Sequence, residues 1–463
     1  AAAIGFAIAE HQGWPFLKGP LQTNLAERLH RPSGDAAFSF DGTGTDVMSF
    51  HALDGDAALS GPSLAKVGDA IGLTLPTTAP FTLKGRLGKS GTVWTLKDAD
   101  LRVGESRLGG QFSVDRSQAV PMLSGALTGE RLVLADLLPA FGAPRSGTDN
   151  PRPPPGHVLP QRELDIPSLH VMNADVKLRL QRADLGSLFR QPLSPLNGDL
   201  SLTSGVLRIS NLVARTAGGE ATGQLRLDGT HDNPRWRADV RWSGVELDKW
   251  LRPRNTRSET PQAGGEKPSY VTGKLGGHAD LQARGRSTAQ MAASVDGKVQ
   301  AWVRNGSISH LVVEEAGIDI AESLGLMLTG DNMLTMNCAV INANASSGSL
   351  TPEVALIDTD DTTIFVTGSI SLADEGLALT MTAKPKDMTP VALRSPVRVQ
   401  GTFSSPKVVL DKKRIAGRAI AATALAIVNP LAALVPLLDT GDKEKSGGCG
   451  QALERLRGAR VQK

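Results

Sequence analysis

GVLRISNLVARTAGGEATGQLRLDG, residues 205–229, decides how the chain is read. Leu207 and Ile209 alternate with Arg208 and Ser210. After Gly218 and Gly219 the alternation resumes, with Ala221, Gly223, Leu225 and Leu227 on one side and Gln224 and Arg226 on the other. A period of two puts neighbouring side chains on opposite faces of a strand. Two such runs around a glycine pair predict a hairpin. The stretch has no histidine or cysteine, and its only carboxylates are Glu220 and Asp228. It reads as a surface, apolar on one side and soluble on the other.

The plan recurs. GTVWTLKDADLRVGESRLGGQFSVDR (91–116) and GSLTPEVALIDTDDTTIFVTGSISLADE (348–375) also open on glycine, then run an alternating strand, a polar turn and a second alternating strand. The second glycine falls at Gly223, Gly110 and Gly368. These are degenerate hairpin repeats. A shorter motif, ADLLPAF (135–141), ADLGSLF (183–189) and more loosely VELDKWL (245–251), predicts short crossover helices between strands.

Composition agrees. Fifty glycines and 28 prolines among 463 residues favour short strands and turns over long helices. A net charge of +3 gives no electrostatic case for nucleic acid. The two cysteines, Cys338 and Cys449, make neither a disulfide-dense scaffold nor a cysteine-based zinc site. They read as two unrelated thiols or as one bridge tying the tail to a strand.

Outside the strands, AAAIGFAIAE (1–10) is an apolar stub, shorter than the ~20 residues a bilayer-spanning helix needs. It reads as the tail of a transmembrane or signal segment. Leu17, Leu21, Leu25 and Leu29 then form one stripe of an amphipathic helix within 13–32. The expected order is an anchor end and helix (1–32), a first β-repeat region (33–144), a Pro-rich loop (145–163), a second β-repeat region (164–251), a flexible loop (252–269), a third β-repeat region (270–411) and apolar C-terminal helices with a tail (412–463). Both loops are expected to be exposed and mobile. A helix is expected over 312–328. RIAGRAIAATALAIVNPLAALVPLL (414–438) reads as a buried or interfacial helical hairpin rather than a span, because Pro430 and Pro436 interrupt it.

Reaction chemistry is sparse. The sequence has no HExxH, G-x-S-x-G elbow or P-loop. Asp358, Asp360 and Asp361 read as a hairpin turn rather than a cation site. The expectation is therefore a protein without catalysis, cofactor or metal. What remains is the apolar face. Its candidate residues are Val176, Leu178, Leu180, Leu200, Leu202, Leu207, Ile209, Leu225, Leu227, Val354, Leu356, Ile364, Val366 and Ile370. Such a face must be covered by a second sheet, by helices or by an apolar ligand. Frequent small residues and few aromatics leave room for acyl chains.

The run 198–251, together with VTGKLGGHADLQARGRS (271–287), GKVQAWVRNGSISH (297–310) and 337–387, resembles the AsmA family. So does GWPFLKGPLQTNLAERLHRP (13–32) following an apolar stub. The resemblance implies a mainly β fold: a long, curled, mainly antiparallel sheet with a lipid-compatible interior. It implies a protein anchored in the inner membrane of a Gram-negative bacterium and exposed to the periplasm. Phospholipids would be its ligands, outer-membrane or periplasmic proteins its possible partners, and lipid movement toward the outer membrane, or that membrane's upkeep, its role. A structural or assembly factor acting through loops 145–163 and 252–269 is the alternative. The resemblance further implies that Cys338 and Cys449 are bonded. It also implies a β-rich part ahead of LSGPSLAKVGDAIGLTLP (59–76), for which the stretch after Pro32 leaves little room.

Overall fold

The structure is a computed structural model. It describes residues 37–45, 52–71, 75–137, 157–164, 166–186, 189–251, 271–308, 334–360, 362–386, 396–410 and 449. The helices expected over 13–32, 312–328 and 414–438, and the loop 252–269, lie outside the described residues.

Among the described residues, twenty strands form one sheet. The first region supplies β1 (Ala37–Thr45), β2 (Ala52–Gly61), β3 (Phe81–Ser90), β4 (Val93–Val103), β5 (Ser106–Asp115) and β6 (Met122–Val133). The second supplies β7 (Asn173–Leu180), β8 (Ala183–Asp184), β9 (Leu196–Thr203), β10 (Val206–Thr216), β11 (Gly219–Asp228) and β12 (Arg235–Glu246). The third supplies β13 (Lys274–Arg284), β14 (Asp296–Ile308), β15 (Leu334–Ser346), β16 (Ser349–Thr359), β17 (Thr362–Ser371), β18 (Gly376–Pro385), β19 (Val397–Thr402) and β20 (Ser405–Leu410). The three helices described are α1 (Leu64–Ile71), α2 (Leu247–Trp250) and α3 (Thr288–Ala293).

The chain meanders. Outside β6–β9 each strand pairs antiparallel with the next; β6 and β7 are parallel, in register from Met122 with Asn173 to Gly129 with Leu180, and β7 then pairs antiparallel with β9. β7 begins at Asn173 beside Met122, where β6 also begins, so the two strands run the same way. The two-residue β8 extends this pairing, with Leu132 opposite Ala183. Among the described residues β1 pairs only with β2 and β20 only with β19, so the described sheet is open at both edges.

The three hairpins read from the sequence are β4–β5, β10–β11 and β16–β17. Gly205 and Gly348, which open two of them, take left-handed turn positions at φ 81° and 76°. Of the expected crossover helices, the one in VELDKWL is present, and only the start of ADLLPAF is described, since 138–141 lie outside the described residues. Leu134–Asp136 is a single 3-10 turn and α2 a short helix, whereas Ala183–Asp184 of the middle copy is strand β8. There the pairing offered by Leu132 and Val133 of β6 overrides a weak local helix preference.

Bulges interrupt the ladders in mid-strand. Asp98 in β4 and Asn211 in β10 sit at φ 51°, and Gly244 in β12 at φ 71°, each where the register shifts. A bulge bends its strand and increases the local twist, which lets a sheet of this width curl. Among the described residues no second sheet stacks on this one, since all the described strands belong to it. Some of the buried apolar side chains form three small clusters, Val67 with Phe81 and Val103, Met172 with Ala174 and Leu202, and Cys338 with Val340 and Leu356.

Candidate functional site

Ladder partners share a face, so registers can be followed across the sheet. From Gly42 of β1 the partners run through Gly55, Leu87, Leu96, Phe112, Gly125, Val176, Leu200, Ile209, Leu225, Ala238, Leu281, Gly297, Ala345, Leu350, Ile370, Leu377 and Gly401 to Pro406 of β20. Every strand except β8 contributes one residue. Each is apolar, glycine or proline. The row one residue over, from β1 to β14, is Thr43, Asp54, Gly88, Thr95, Ser113, Ser124, Asp175, Ser201, Arg208, Arg226, Arg237, Gln282 and Asp296. That row is polar apart from one glycine, and it faces the other way.

The apolar face is not sealed. Leu225 is 38 % exposed and Ile341 37 %, although both sit on apolar positions of central strands. Three tryptophans, Trp94, Trp236 and Trp242, belong to this face by register. Trp242 lies against Gly277, where a Cβ would collide with its ring. Among the described residues the face carries one cation, Lys89 near the end of β3, whose ammonium stands 5.2 Å from the centre of the Trp94 ring.

Of the residues singled out from sequence, twelve share this face: Val176, Leu178, Leu180, Leu200, Leu202, Leu207, Ile209, Leu225, Leu227, Ile364, Val366 and Ile370. Val354 and Leu356 do not. Pro352 pairs with Ala343 but Val354 pairs with Asn342, so Glu353 is an extra residue that reverses the phase of β16. Ala355 and Ile357 take the apolar-face positions instead. Leu356 packs on the opposite face with Val340, Trp302, Phe365 and Cys449.

That opposite face carries the disulfide. Cys338 of β15 is bonded to Cys449, with Cα atoms 5.9 Å apart. Beside it Asp358 is buried, accepting from the Thr363 hydroxyl at 2.6 Å and lying 2.9 Å from the Lys386 ammonium. Asp358 and Asp360 stand at the β16–β17 turn, as read from sequence; Asp361 lies outside the described residues.

Ion pairs hold the polar face. Arg86 of β3 meets both carboxylate oxygens of Asp54 on β2, at 2.9 and 2.6 Å. That hydrogen-bonded pairing lowers the Asp54 carboxyl and raises the Arg86 guanidinium. Arg237 reaches Asp280 at 3.2 Å. At the end of β11, the Thr230 hydroxyl and then the Arg226 guanidinium hold the Asp228 carboxyl well below the usual carboxylate range. The aspartate of the short ADL motif also has a structural task. Asp136 accepts from the backbone N–H groups of Glu105 and Ser106 and from the Ser106 hydroxyl at 3.1, 2.9 and 2.6 Å, capping the β4–β5 turn.

The family model described as "AsmA family" matches residues 82–354. The chain belongs to the AsmA family. The AsmA family protein YhjG of Escherichia coli (strain K12) is 28 % identical over 471 aligned residues, covering 98 % of this chain. The chain spans about two thirds of that relative's length, 65 %. No solved structure matches it. The AsmA-family match thus runs from β3 into β16 and takes in the continuous central part of the apolar face.

Proposed function

We propose that the chain holds phospholipid acyl chains along its apolar face and supports movement of lipid to the outer membrane, or that membrane's upkeep. The observation that carries this reading is the row from Gly42 to Pro406, apolar on every strand it crosses, beside a polar row facing water. At ~4.8 Å per strand the row is roughly 85 Å long, about twice the thickness of a bilayer. Each methylene shielded from water contributes about 0.8 kcal/mol, so a chain lying on the floor is held with no fixed polar contact. Headgroups stay at the water-facing rims. Sliding along such a floor exchanges equivalent contacts and requires no catalytic group. Membership of the AsmA family points the same way.

In this reading the protein is periplasmic and tethered to the inner membrane through its N-terminal segment. Among the described residues no helix is long and apolar enough to cross a membrane. The scaffold alternative draws less support, because the described part of loop 145–163 is engaged within the molecule: Val158 and Leu159 donate to Glu375, and Pro160 accepts from Ala289.

A photo-crosslinking residue placed in cells at Leu207 or, separately, at Arg208 tests the proposal. Phospholipid adducts at 207 and none at 208 are expected. Adducts at neither position, with crosslinks only to neighbouring protein, would replace the groove with a packed core.

A further inference from the structure

Proline and polar composition predict a free loop up to residue 163. The structure instead ties residues 157–172, Asp165 aside, along one rim of the sheet. Glu375, in the β17–β18 turn, has a side chain only 2 % exposed. Its carboxylate accepts from the backbone N–H of Val158 at 2.5 Å and of Leu159 at 3.1 Å, and it lies 3.1 Å from Nδ1 of His157. Glu375 holds this clasp at φ 52°, a conformation uncommon for a residue with a Cβ.

Further along, Ala289 of α3 donates to Pro160, and Leu164 donates to the carbonyl of Arg286. Then the segment turns onto the apolar face. Ile166 and Leu169 fill the space beside Gly229, at the end of β11. His170 fills the space at Gly205, and its Nε2 lies 3.1 Å from the Gly229 carbonyl. Met172, 1 % exposed, packs on Ala174 and Leu202 with Leu169 and Leu207 beside it. The segment thus passes from the β17–β18 turn, past the turn after β13 and the β11–β12 turn, to the start of β7. The same face has a lesser cover elsewhere, where Val67 of α1 packs on Phe81 and Val103.

We propose that residues 157–164 and 166–172 are a seal that closes one rim of the groove between β7 and β18, so that acyl chains do not leave across that rim unless the Glu375 clasp opens. This rests on the lipid reading of the apolar face. A curled sheet has two long rims, and a one-sided opening confines a chain to movement along the floor. Buried apolar residues facing the floor and a polar clasp at the far end suit a cover that is held but reversible.

The test uses the whole protein and a phospholipid with brominated acyl chains, which quench tryptophan on contact. Two quantities are read for the unaltered protein and for Glu375→Gln: amide exchange at Val158 and Leu159, and the rate at which tryptophan emission recovers on dilution into unlabelled vesicles. The variant is expected to speed exchange at those amides by about tenfold, through loss of charge-assisted hydrogen bonds, and to speed lipid release several-fold. Exchange in β10 should not change. An Ile166→Ala/Leu169→Ala variant, which loosens the cover and keeps the clasp, should also release lipid faster. Loosened amides with unchanged release in both variants would overturn the seal. Amides unaffected by Glu375→Gln would overturn the clasp. Absence of quenching in the unaltered protein would instead remove the lipid reading on which the seal depends.

Discussion

Arg208 of β10 stands directly opposite Arg226 of β11, and Arg226 in turn opposite Arg237 of β12. Like charges facing each other across a ladder are destabilising, and a sheet tolerates them where water screens them and acids lie nearby. Arg226 has Asp228 at 2.9 Å and Arg237 has Asp280 at 3.2 Å. One residue earlier in β10, Leu207 faces Leu202 on one side and Leu227 on the other. The two faces of one strand therefore meet opposite conditions, and substitutions on them should separate cleanly.

Arg208→Glu places an acid opposite Arg226. It should raise stability by roughly 0.2–1 kcal/mol and leave lipid occupancy unchanged. Leu207→Asp or Ile209→Asp puts a charge on the apolar floor and should abolish occupancy. Urea unfolding and lipid analysis of the purified proteins check both. Equal loss of lipid in the two sets would show that the faces are misassigned.

The disulfide closes a loop with a sequence separation of 111 residues. In the chain-entropy view, such a closure is worth about 4–5 kcal/mol. Cys449→Ser should lower the urea midpoint accordingly, and reduction of the parent should reproduce the shift. A midpoint unmoved by either treatment would mean that the Val340–Leu356 cluster holds without it.

Asp228 supplies a pH dependence with a definite sign. Its folded-state pKa is depressed below the ordinary value near 3.8, first by the Thr230 hydroxyl and then by Arg226. Its contribution is therefore present above the unfolded carboxylate value and lost as pH falls toward the folded one. Asp228→Asn should destabilise at neutral pH, and the gap should narrow below about pH 4. A gap that widens in acid contradicts the assignment.

Gly110, in the second strand of the β4–β5 repeat, sits at φ 144°, where a Cβ would collide with the carbonyl oxygen of Ala126. Gly368 repeats the arrangement against Ala378. Gly110→Ala should cost about 1–3 kcal/mol in thermal or urea unfolding, from backbone strain and a displaced β6. A loss below a few tenths would mean that the ladder yields there.

Much of the fold was legible because period-two alternation survives in single strands: Leu225 and Leu227 declare a face without help from distant residues. Hairpin glycines such as Gly205 and Gly348 punctuate it. Other features leave no such mark. Pro352 stands beside the extra Glu353 of β16, but a proline does not say that the strand continues with its faces exchanged; everything beyond it changes side, so Val354 and Leu356 read as floor residues. Residues 157–163 have the composition of a free loop. Their order comes from a glutamate more than two hundred positions away, which no local pattern encodes. The ADLGSLF copy reads as helix because its strand partner, Leu132, lies outside the local window.

The central claim is that acyl chains occupy one face. Trp242 lies on that face beside Ala221 and Gly277, and Trp302 lies on the other, between Gly276 and Val340. The direct measurement is tryptophan quenching by acyl-brominated phospholipid in two variants, one retaining only Trp242 and the other only Trp302. Strong quenching of Trp242 with Trp302 unaffected is the predicted result. Equal quenching of both, or quenching of Trp302 alone, would contradict the account.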